Sequence, residues 1–384
     1  MIRPATEADL DRLVEIHMAS YPDDRGAPAR QLNFAQNALS RDGGQLEDLR
    51  VFERDGRILG HAFGFDLAAW FSGRAVPILG IASVGVAPEA RMTGVATELL
   101  QGLEDEGRSR GALLCMLHAF RHGFYARRGY ADVTPNVRLA CDPRAIPLEW
   151  VNEARDAKLV AMASQPAKKG RRKGTSRDGG EAIIAMYDDA CKRMTGWLRR
   201  PDALWARRFA NERRHFVMLE KNAGYVSFET TQREPHAETR LFVHELVAKD
   251  AAARRVLWGC LGMQAGQVAE IDVEIAQNDP TLLALTDVDG ARHGEEDVEH
   301  ALGCIVAGPM IKILDRKRAL AARGVRGKAI DGVTIDDRAL ASIAFGGHSL
   351  RDAVALDLAR GKKNDLARAD EALRISPFFT LDRF

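Results

Sequence analysis

The stretch "SVGVAPEARMTGVATELL", from Ser83 to Leu100, passes from an apolar strand to an amphipathic helix across a turn that holds Pro88, Arg91 and Gly94. A strand that feeds a helix within so few residues commits the chain to a layered fold, because the helix must fold back and bury its apolar stripe on the sheet it has just left. The flanking sequence fits that plan. Ile2 opens a short strand, and "TEADLDRLVEIHMAS" sets Leu10, Leu13, Val14 and Met18 at helical spacing behind a Thr6 cap. "LRVFERDGRILGHAFGFD" is two alternating runs joined by Asp55 and Gly56, the dipeptide a tight primed turn favours. The long strand "VPILGIASVGV" and the helix "GVATELLQGLEDEGRSRG" are followed by a buried strand "ALLCMLHA", a short helix "HGFYARRG" and a final strand "VRLAC". This order predicts a mixed α/β fold whose working helix leaves the end of a central strand.

The same order returns in weaker form. At 384 residues the chain has room for two or three domains, and a second one is expected to start near Ile146. "HFVMLEKNAGYVSFE" echoes the hairpin, and "TRLFVHELVAKDAAARRVLWGCLG" echoes the strand, turn and helix. Where the first copy has Pro88, Arg91 and Gly94, the second has Lys249, Asp250 and alanines, so a duplicated fold with one worn-out site is expected. Between the copies "AKKGRRKGTSRDGG" reads as a solvated linker, with an anion-binding patch as the rival. The formal net charge of +1 argues against a dedicated nucleic-acid binder. Five scattered cysteines, none in a C-x-x-C pair, suggest reduced cytoplasmic thiols and no metal site. No apolar run suits a secretory leader or a membrane span.

The turn itself points to an anion. A helix N-terminus carries unpaired N–H groups and a partial positive charge, and Gly94 lets a ligand approach the backbone. Arg91 adds a cation, Ala96 leaves room, and no acidic residue stands at the start of the helix, Glu98 coming later. The bland alternative is a glycine-relieved turn packed for its own sake. Neither a P-loop nor a dinucleotide G-x-G-x-x-G is present.

Wider reading favours the ligand. The strand Val84, Gly85, Val86 and Pro88, followed by Arg91, Gly94 and Ala96, resembles the V-x-V-x-P and [RQ]-x-x-G-x-[GA] signature of the GCN5-related N-acetyltransferases, the GNAT superfamily. Phe124, Tyr125, Gly129 and Tyr130 resemble its downstream F-Y-x-x-x-G-[FY]. "VPILGI" and "GPMIKILD", Gly308 to Asp315, are similar to segments of the Eis-like (enhanced intracellular survival) acetyltransferases. That resemblance implies tandem GNAT-like folds, the second degenerate, over 1–146 and 147–314. It also implies a sterol-carrier-protein-like α/β segment over 315–384, here shortened.

It implies a site as well. Acetyl-CoA would be the co-substrate, with its pantetheine arm and thioester on Val84, Gly85 and Val86. Its pyrophosphate would lie on Arg91, Met92, Thr93, Gly94, Val95, Ala96 and Thr97, with Phe120 and Arg121 as further contacts. Tyr125 falls on the general-acid position, and the terminal carboxylate of Phe384 would act as general base, with Phe378 and Phe379 as upstream anchors. The acceptor would be a primary amine, on a small molecule or a lysine, attacking directly in a ternary complex. Asp24, Trp70, Phe71 and Arg383 are candidates for its pocket; a basic Arg383 disfavours a polycation and could pair with Asp382. His118 and His122 are rival bases, while Cys115, inside an apolar strand, makes a covalent acetyl-cysteine route the minor option. A homo-oligomer with no nucleic-acid or membrane partner completes the expectation. The alternative class is a non-catalytic acyl-CoA-binding scaffold; a nucleic-acid protein using the basic linker is the third.

Overall fold

The computed structural model describes residues 1–21, 46–163, 176–232, 238–286 and 303–382. The first part of the chain runs β1 (Ile2–Pro4), α1 (Leu10–Ser20), β2 (Leu49–Arg54), β3 (Arg57–Phe71), β4 (Arg74–Val86), α2 (Val95–Ser109), β5 (Leu114–Leu117), α3 (His122–Ala126) and β6 (Ala131–Asp132). Next come β7 (Asn136–Cys141), α4 (Leu148–Asp156), β8 (Leu159–Ala163), α5 (Ser176–Cys191), α6 (Asp202–Ala210), β9 (His215–Leu219), β10 (Gly224–Thr231), β11 (Arg240–Ala248), α7 (Ala251–Gly262), β12 (Glu270–Ala276) and β13 (Cys304–Val306). The last part is β14 (Met310–Ile313), α8 (Arg316–Arg323), β15 (Val333–Ile335), α9 (Asp337–Ala344), α10 (Leu350–Ala355), β16 (Ala359–Gly361) and α11 (Lys363–Leu373). Thr6 caps a single tight turn, Glu7–Asp9, in a reciprocal box with Asp9, and α1 starts only after it.

Two seven-stranded sheets hold the molecule together, ordered β1-β2-β3-β4-β5-β14-β6 and β13-β7-β12-β11-β10-β9-β8. They exchange strands. The "VRLAC" segment, expected to close the first fold, is β7 and pairs antiparallel with β12 and β13 in the second sheet. Its place in the first sheet is taken by β14, from the "GPMIKILD" motif, which pairs antiparallel with both β5 and β6. Met310 and Ile311 are fully buried there.

Alternation along the central strands assigns the layers. Val76 and Ile78 of β4, with Leu114 and Met116 of β5, face a cluster built from the C-terminal helices, including Leu320, Leu340, Ile343 and Phe345. Leu79 and Ile81, with Cys115 and Leu117, face α2 through Leu99, Leu100 and Leu103. The first sheet is therefore sandwiched between α2 and residues 316–378. Residues 315–382 themselves form four helices and one two-stranded sheet, β15 with β16, with no larger sheet of their own among the described residues. All five cysteines are unpaired, four buried and Cys304 exposed. No described helix is long and apolar enough to cross a membrane.

Candidate active site

The site begins as a defect in β4. Its parallel pairing with β5 covers only Ile78 to Ile81 against Leu114 to Leu117, so Ala82 to Val86 run on beyond the end of β5. On the other edge the register against β3 jumps from Ala82 opposite Phe63 to Gly85 opposite His61. Ser83 and Val84 thus share one partner position, and Ser83 takes a φ of 50°. Such a bulge turns the strand and frees its backbone groups from the ladder. Beneath it His61 is completely buried, and burial, then His17, pushes its pKa down to about 3. A Cβ on Gly85 would come within 2.6 Å of His61 Nε2, so glycine is required at that point. From the residue that ends α1, the Tyr21 hydroxyl donates to the Val84 carbonyl at 2.8 Å.

The turn after the bulge is built from two residues in the left-handed region, Met92 at φ 65° and Gly94 at φ 91°. Gly94 is the N-cap of α2, and no side chain caps that end. Val95 is buried beneath the turn, while Arg91, Met92, Thr93, Gly94 and Thr97 are exposed. Arg91 is tied back by Nη2 donating to the Ala19 carbonyl at 2.7 Å. The carboxylate of Glu98 is held by Arg54 at 2.8 Å. The result is an open helix N-terminus with its own carboxylate engaged elsewhere.

Tyr125 of α3 packs in the same apolar cluster as Cys115, Leu117 and Leu99, against which Val84 and Val86 also lie. It is 2% exposed, and burial pushes its phenol up to about 12. Its ring meets Phe124 edge-on at 5.0 Å, and its hydroxyl has no hydrogen-bond partner among the described residues. Tyr130 is different: its hydroxyl donates to Glu104 at 3.0 Å, and Glu104 also takes Lys312 of β14 at 2.6 Å. Cys115 touches the Tyr130 hydroxyl at 3.1 Å, and burial pushes its thiol up to about 12, which suits a core residue and not a nucleophile.

Residues 1–133 match a family model described as an acetyltransferase (GNAT) domain, and residues 196–301 match a second model of the same description. The chain carries two GNAT acetyltransferase domains. N-acetyltransferase Eis of Mycobacterium tuberculosis is 27% identical over 258 residues, an alignment that spans 64% of this chain and 61% of that relative. Solved structures that match over the whole of both chains include a GCN5-related N-acetyltransferase from Anabaena variabilis, with TM-score 0.77 at 17% identity, and Eis1 from Mycobacterium abscessus, with TM-score 0.75 at 19%. At such identities the two structures show a shared fold.

The second GNAT unit closes what the first leaves open. Asp250 caps α7 with its own carboxylate, which accepts from the Ala253 N–H at 2.9 Å, so that helix end already holds an anion. Its β11 and β12 pair only from Arg240 to Val243, and Phe379 and Leu381 pack beside Val247 and Ala276 where they part.

Those two residues belong to the tail of the chain, and its course brings sequence-distant groups together. The Phe378 N–H donates to Thr134 Oγ1 at 2.6 Å, and the Phe379 N–H donates to the Thr195 carbonyl at 2.9 Å. Asp382 is buried on Arg200, with Nε to Oδ1 at 2.9 Å, and also takes Arg208 and the Tyr187 hydroxyl. Its carbonyl oxygen lies 3.4 Å from Nε2 of His118, at the end of β5. The tail thus crosses from the second GNAT unit to the mouth of the first. His122 points elsewhere, with Nδ1 at 2.6 Å from Asp132 on the sheet edge.

Several sequence-picked residues lie apart from this mouth. Phe71 is fully buried, edge-on to Phe345 at 5.2 Å, so it belongs to the core and does not line an acceptor pocket. Trp70 sits at the opposite end of the β3–β4 hairpin from the bulge, bonded through its backbone to Trp197 and Gly196 and packed on the α5–α6 cluster. Asp24, Arg383 and Phe384 lie outside the described residues. Phe120 is 69% exposed, with the Arg121 guanidinium 6.0 Å above its ring.

Reading the sequence missed Arg128. It stacks on Phe124 at 3.6 Å, donates to the Phe124 carbonyl at 2.7 Å and bonds Thr97 Oγ1, joining α3 to the first turn of α2. Its place inside the "FYARRG" signature was the available signal, masked because arginine beside glycine reads as solvated loop.

Proposed function

We propose that this protein is an acetyl-CoA-dependent N-acetyltransferase with one active site per chain, in the first GNAT unit. The carrying observation is that β4 parts from β5 just where the uncapped N-terminus of α2 opens, with Tyr125 packed between them. Backbone N–H groups at the start of α2, together with Arg91 and Arg128, suit a pyrophosphate. The edge of β4 around the bulge suits the amide-rich pantetheine arm.

In the reaction the acceptor nitrogen bonds to the thioester carbon, and the carbonyl becomes an oxyanion. Collapse of that intermediate breaks the C–S bond, and the departing sulfur takes the Tyr125 proton. Burial raises the pKa of the phenol, so Tyr125 keeps its proton at neutral pH until negative charge builds on the departing sulfur. The proton lost by the amine goes to the terminal carboxylate of Phe384. Asp382 anchored beside His118 supports that assignment, since only Arg383 lies between Asp382 and Phe384. We read 315–384 as a shortened carrier-like domain whose part in catalysis is to deliver that end. A reducing, cytoplasmic setting agrees with the five unpaired cysteines, and the homo-oligomer remains part of the reading.

Tyr125→Phe should lower kcat by about a hundredfold and leave CoA affinity within about twofold, as expected for a group acting in the transition state. Adding one glycine after Phe384 moves the carboxylate and should do the same. Steady-state kinetics beside calorimetry with CoA checks both. If the two variants turn over like the parent, the acid and base assignments fail. If CoA binds and no amine releases free thiol, the chain is a scaffold.

A further inference from the structure

The bulge in β4 rests on a histidine. His61 of β3 is completely buried, and its register partner is Gly85, where pairing between the two strands resumes after the bulge. The three atoms nearest to a would-be Gly85 Cβ all belong to the His61 ring, at 2.6, 3.0 and 3.2 Å. Gly85 does not have a left-handed φ, so the ring, and not the backbone, excludes a side chain there. A Cβ on Gly60 would meet the Gly85 carbonyl oxygen at 3.0 Å, so β3 closes on the bulge at two successive positions. The His61 ring also faces His17 of α1, with centroids 5.8 Å apart, and His17 lies 4.8 Å from the ring of Tyr21. The end of α1 is fastened to the same stretch, Tyr21 to the Val84 carbonyl at 2.8 Å and Ser20 Oγ to the Val86 carbonyl at 3.5 Å.

A phenyl ring would fill this space without burying polar atoms, so an imidazole here carries a cost in desolvation. Burial and then His17 hold its pKa at about 3, against the pull of the Ser83 backbone, and the ring is uncharged near neutrality. What it has and a phenyl ring lacks is a polar edge for that backbone. Ser83 is the residue bent to a φ of 50°, and a non-glycine residue keeps such a conformation only where its surroundings impose it.

We propose that His61 is a positioning residue for acetyl transfer: its ring, set against Gly85 and His17, holds the backbone of Ser83, Val84 and Gly85 in the bent form that the thioester carbonyl requires. As the acceptor nitrogen adds, negative charge gathers on that carbonyl oxygen, and backbone N–H groups stabilise it only when their direction is fixed beforehand. Ser83 and Val84 share one place opposite β3, so the ladder does not fix them. The His61 ring and the Tyr21 hydroxyl supply that restraint. The inference rests on the acetyl-transfer reading and adds to it a buried residue that acts through the backbone.

The test compares the parent with His61→Phe, Gly85→Ala and the double variant His61→Ala with Gly85→Ala. Four readouts are taken: thiol release with a panel of amines, calorimetry with CoA, thermal melting, and the infrared carbonyl stretch of bound acetyl-CoA labelled with carbon-13 at the carbonyl. Binding to the parent should lower that stretch, as a polarised carbonyl requires. His61→Phe should cut kcat about tenfold, keep the Kd for CoA within about twofold and lose about half of the carbonyl shift. Gly85→Ala drives a methyl group into the ring and should lower the melting temperature. Removing the ring makes room for that methyl group, so the double variant should regain the melting temperature and regain neither kcat nor the carbonyl shift. A double variant that recovers kcat along with its melting temperature overturns the proposal, because the ring would then be filler. So does a His61→Phe protein that turns over like the parent. Should His61→Phe not fold, the double variant, which refills the space, decides alone. If no amine is acetylated and the carbonyl shift still depends on His61, the positioning role stands and the acetyl-transfer reading falls. If amines are acetylated and the shift is absent from the parent, the positioning proposal falls by itself.

Discussion

Gly94 shows how one residue sets the chemistry of a helix end. At φ 91° a side chain would be strained, and a residue able to cap would also put its own group where a ligand's charge must go. Asp250 makes that second point within the same chain, since it fills the corresponding helix end with its carboxylate. Gly94→Val should therefore cost about 1 to 3 kcal/mol of local strain and raise the Kd for CoA at least tenfold. Calorimetry reads the affinity and thermal melting reads the strain; an unchanged Kd would remove this turn from the cofactor site. Gly94 was legible in the sequence because a strand-to-helix turn this short calls for a left-handed residue, and glycine adopts that conformation without steric cost. Gly85 was legible only as part of a signature. Its physical reason, a histidine ring 2.6 Å from a would-be Cβ, comes from β3 and is invisible in the local sequence.

At the level of elements, the tail is held by charge as much as by its two phenylalanines. Burial would push the Glu245 carboxyl up, but Arg200 and Arg208 outweigh it and hold it at about 2, against an ordinary 4.5. The Asp382 carboxyl, also opposed by burial, is held below its usual range by the same two arginines. Carboxyls depressed in the folded state contribute stability above their ordinary pKa and lose it as pH falls through the folded value. The melting temperature should thus drop between about pH 4.5 and 2, and Asp382→Asn should flatten part of that drop. At neutral pH Asp382→Asn leaves two guanidinium groups short of a counter-charge and should destabilise by about 3 to 5 kcal/mol. Because the tail reaches His118, kcat should fall with it. Denaturant titration with parallel kinetics checks this; unchanged stability at neutral pH would show that the buried network does not hold the tail. Nothing in "TLDRF" announces such a network, whose partners lie 182 and 174 residues away.

Across the whole molecule, the exchange of β7 and β14 makes the two GNAT units mutually dependent. The fragment 1–146 has β5 and β6 but not the strand that joins them, and it carries β7 without β12. Expressed alone, it should expose an unpaired edge on β5 together with the apolar face otherwise covered by the C-terminal helices. It should show no cooperative melting transition, whereas 1–384 melts as a unit. A sharp transition in the fragment, seen by circular dichroism, would show that β14 is dispensable.

By itself the sequence determined the periodicities that make two hairpin and strand-turn-helix units. It also determined which of the two helix ends is open, and the residue types at that end and at Tyr125. These are local facts: apolar spacing, a glycine at a turn and an acidic cap each act within a few residues. Only the tertiary structure decided which sheet receives β7 and β14, that Phe71 is core, and that the tail runs from Arg200 to His118. Alternation tells a strand which face to bury but not which neighbour to join, and buried ion pairs form between residues that nothing in the linear order connects.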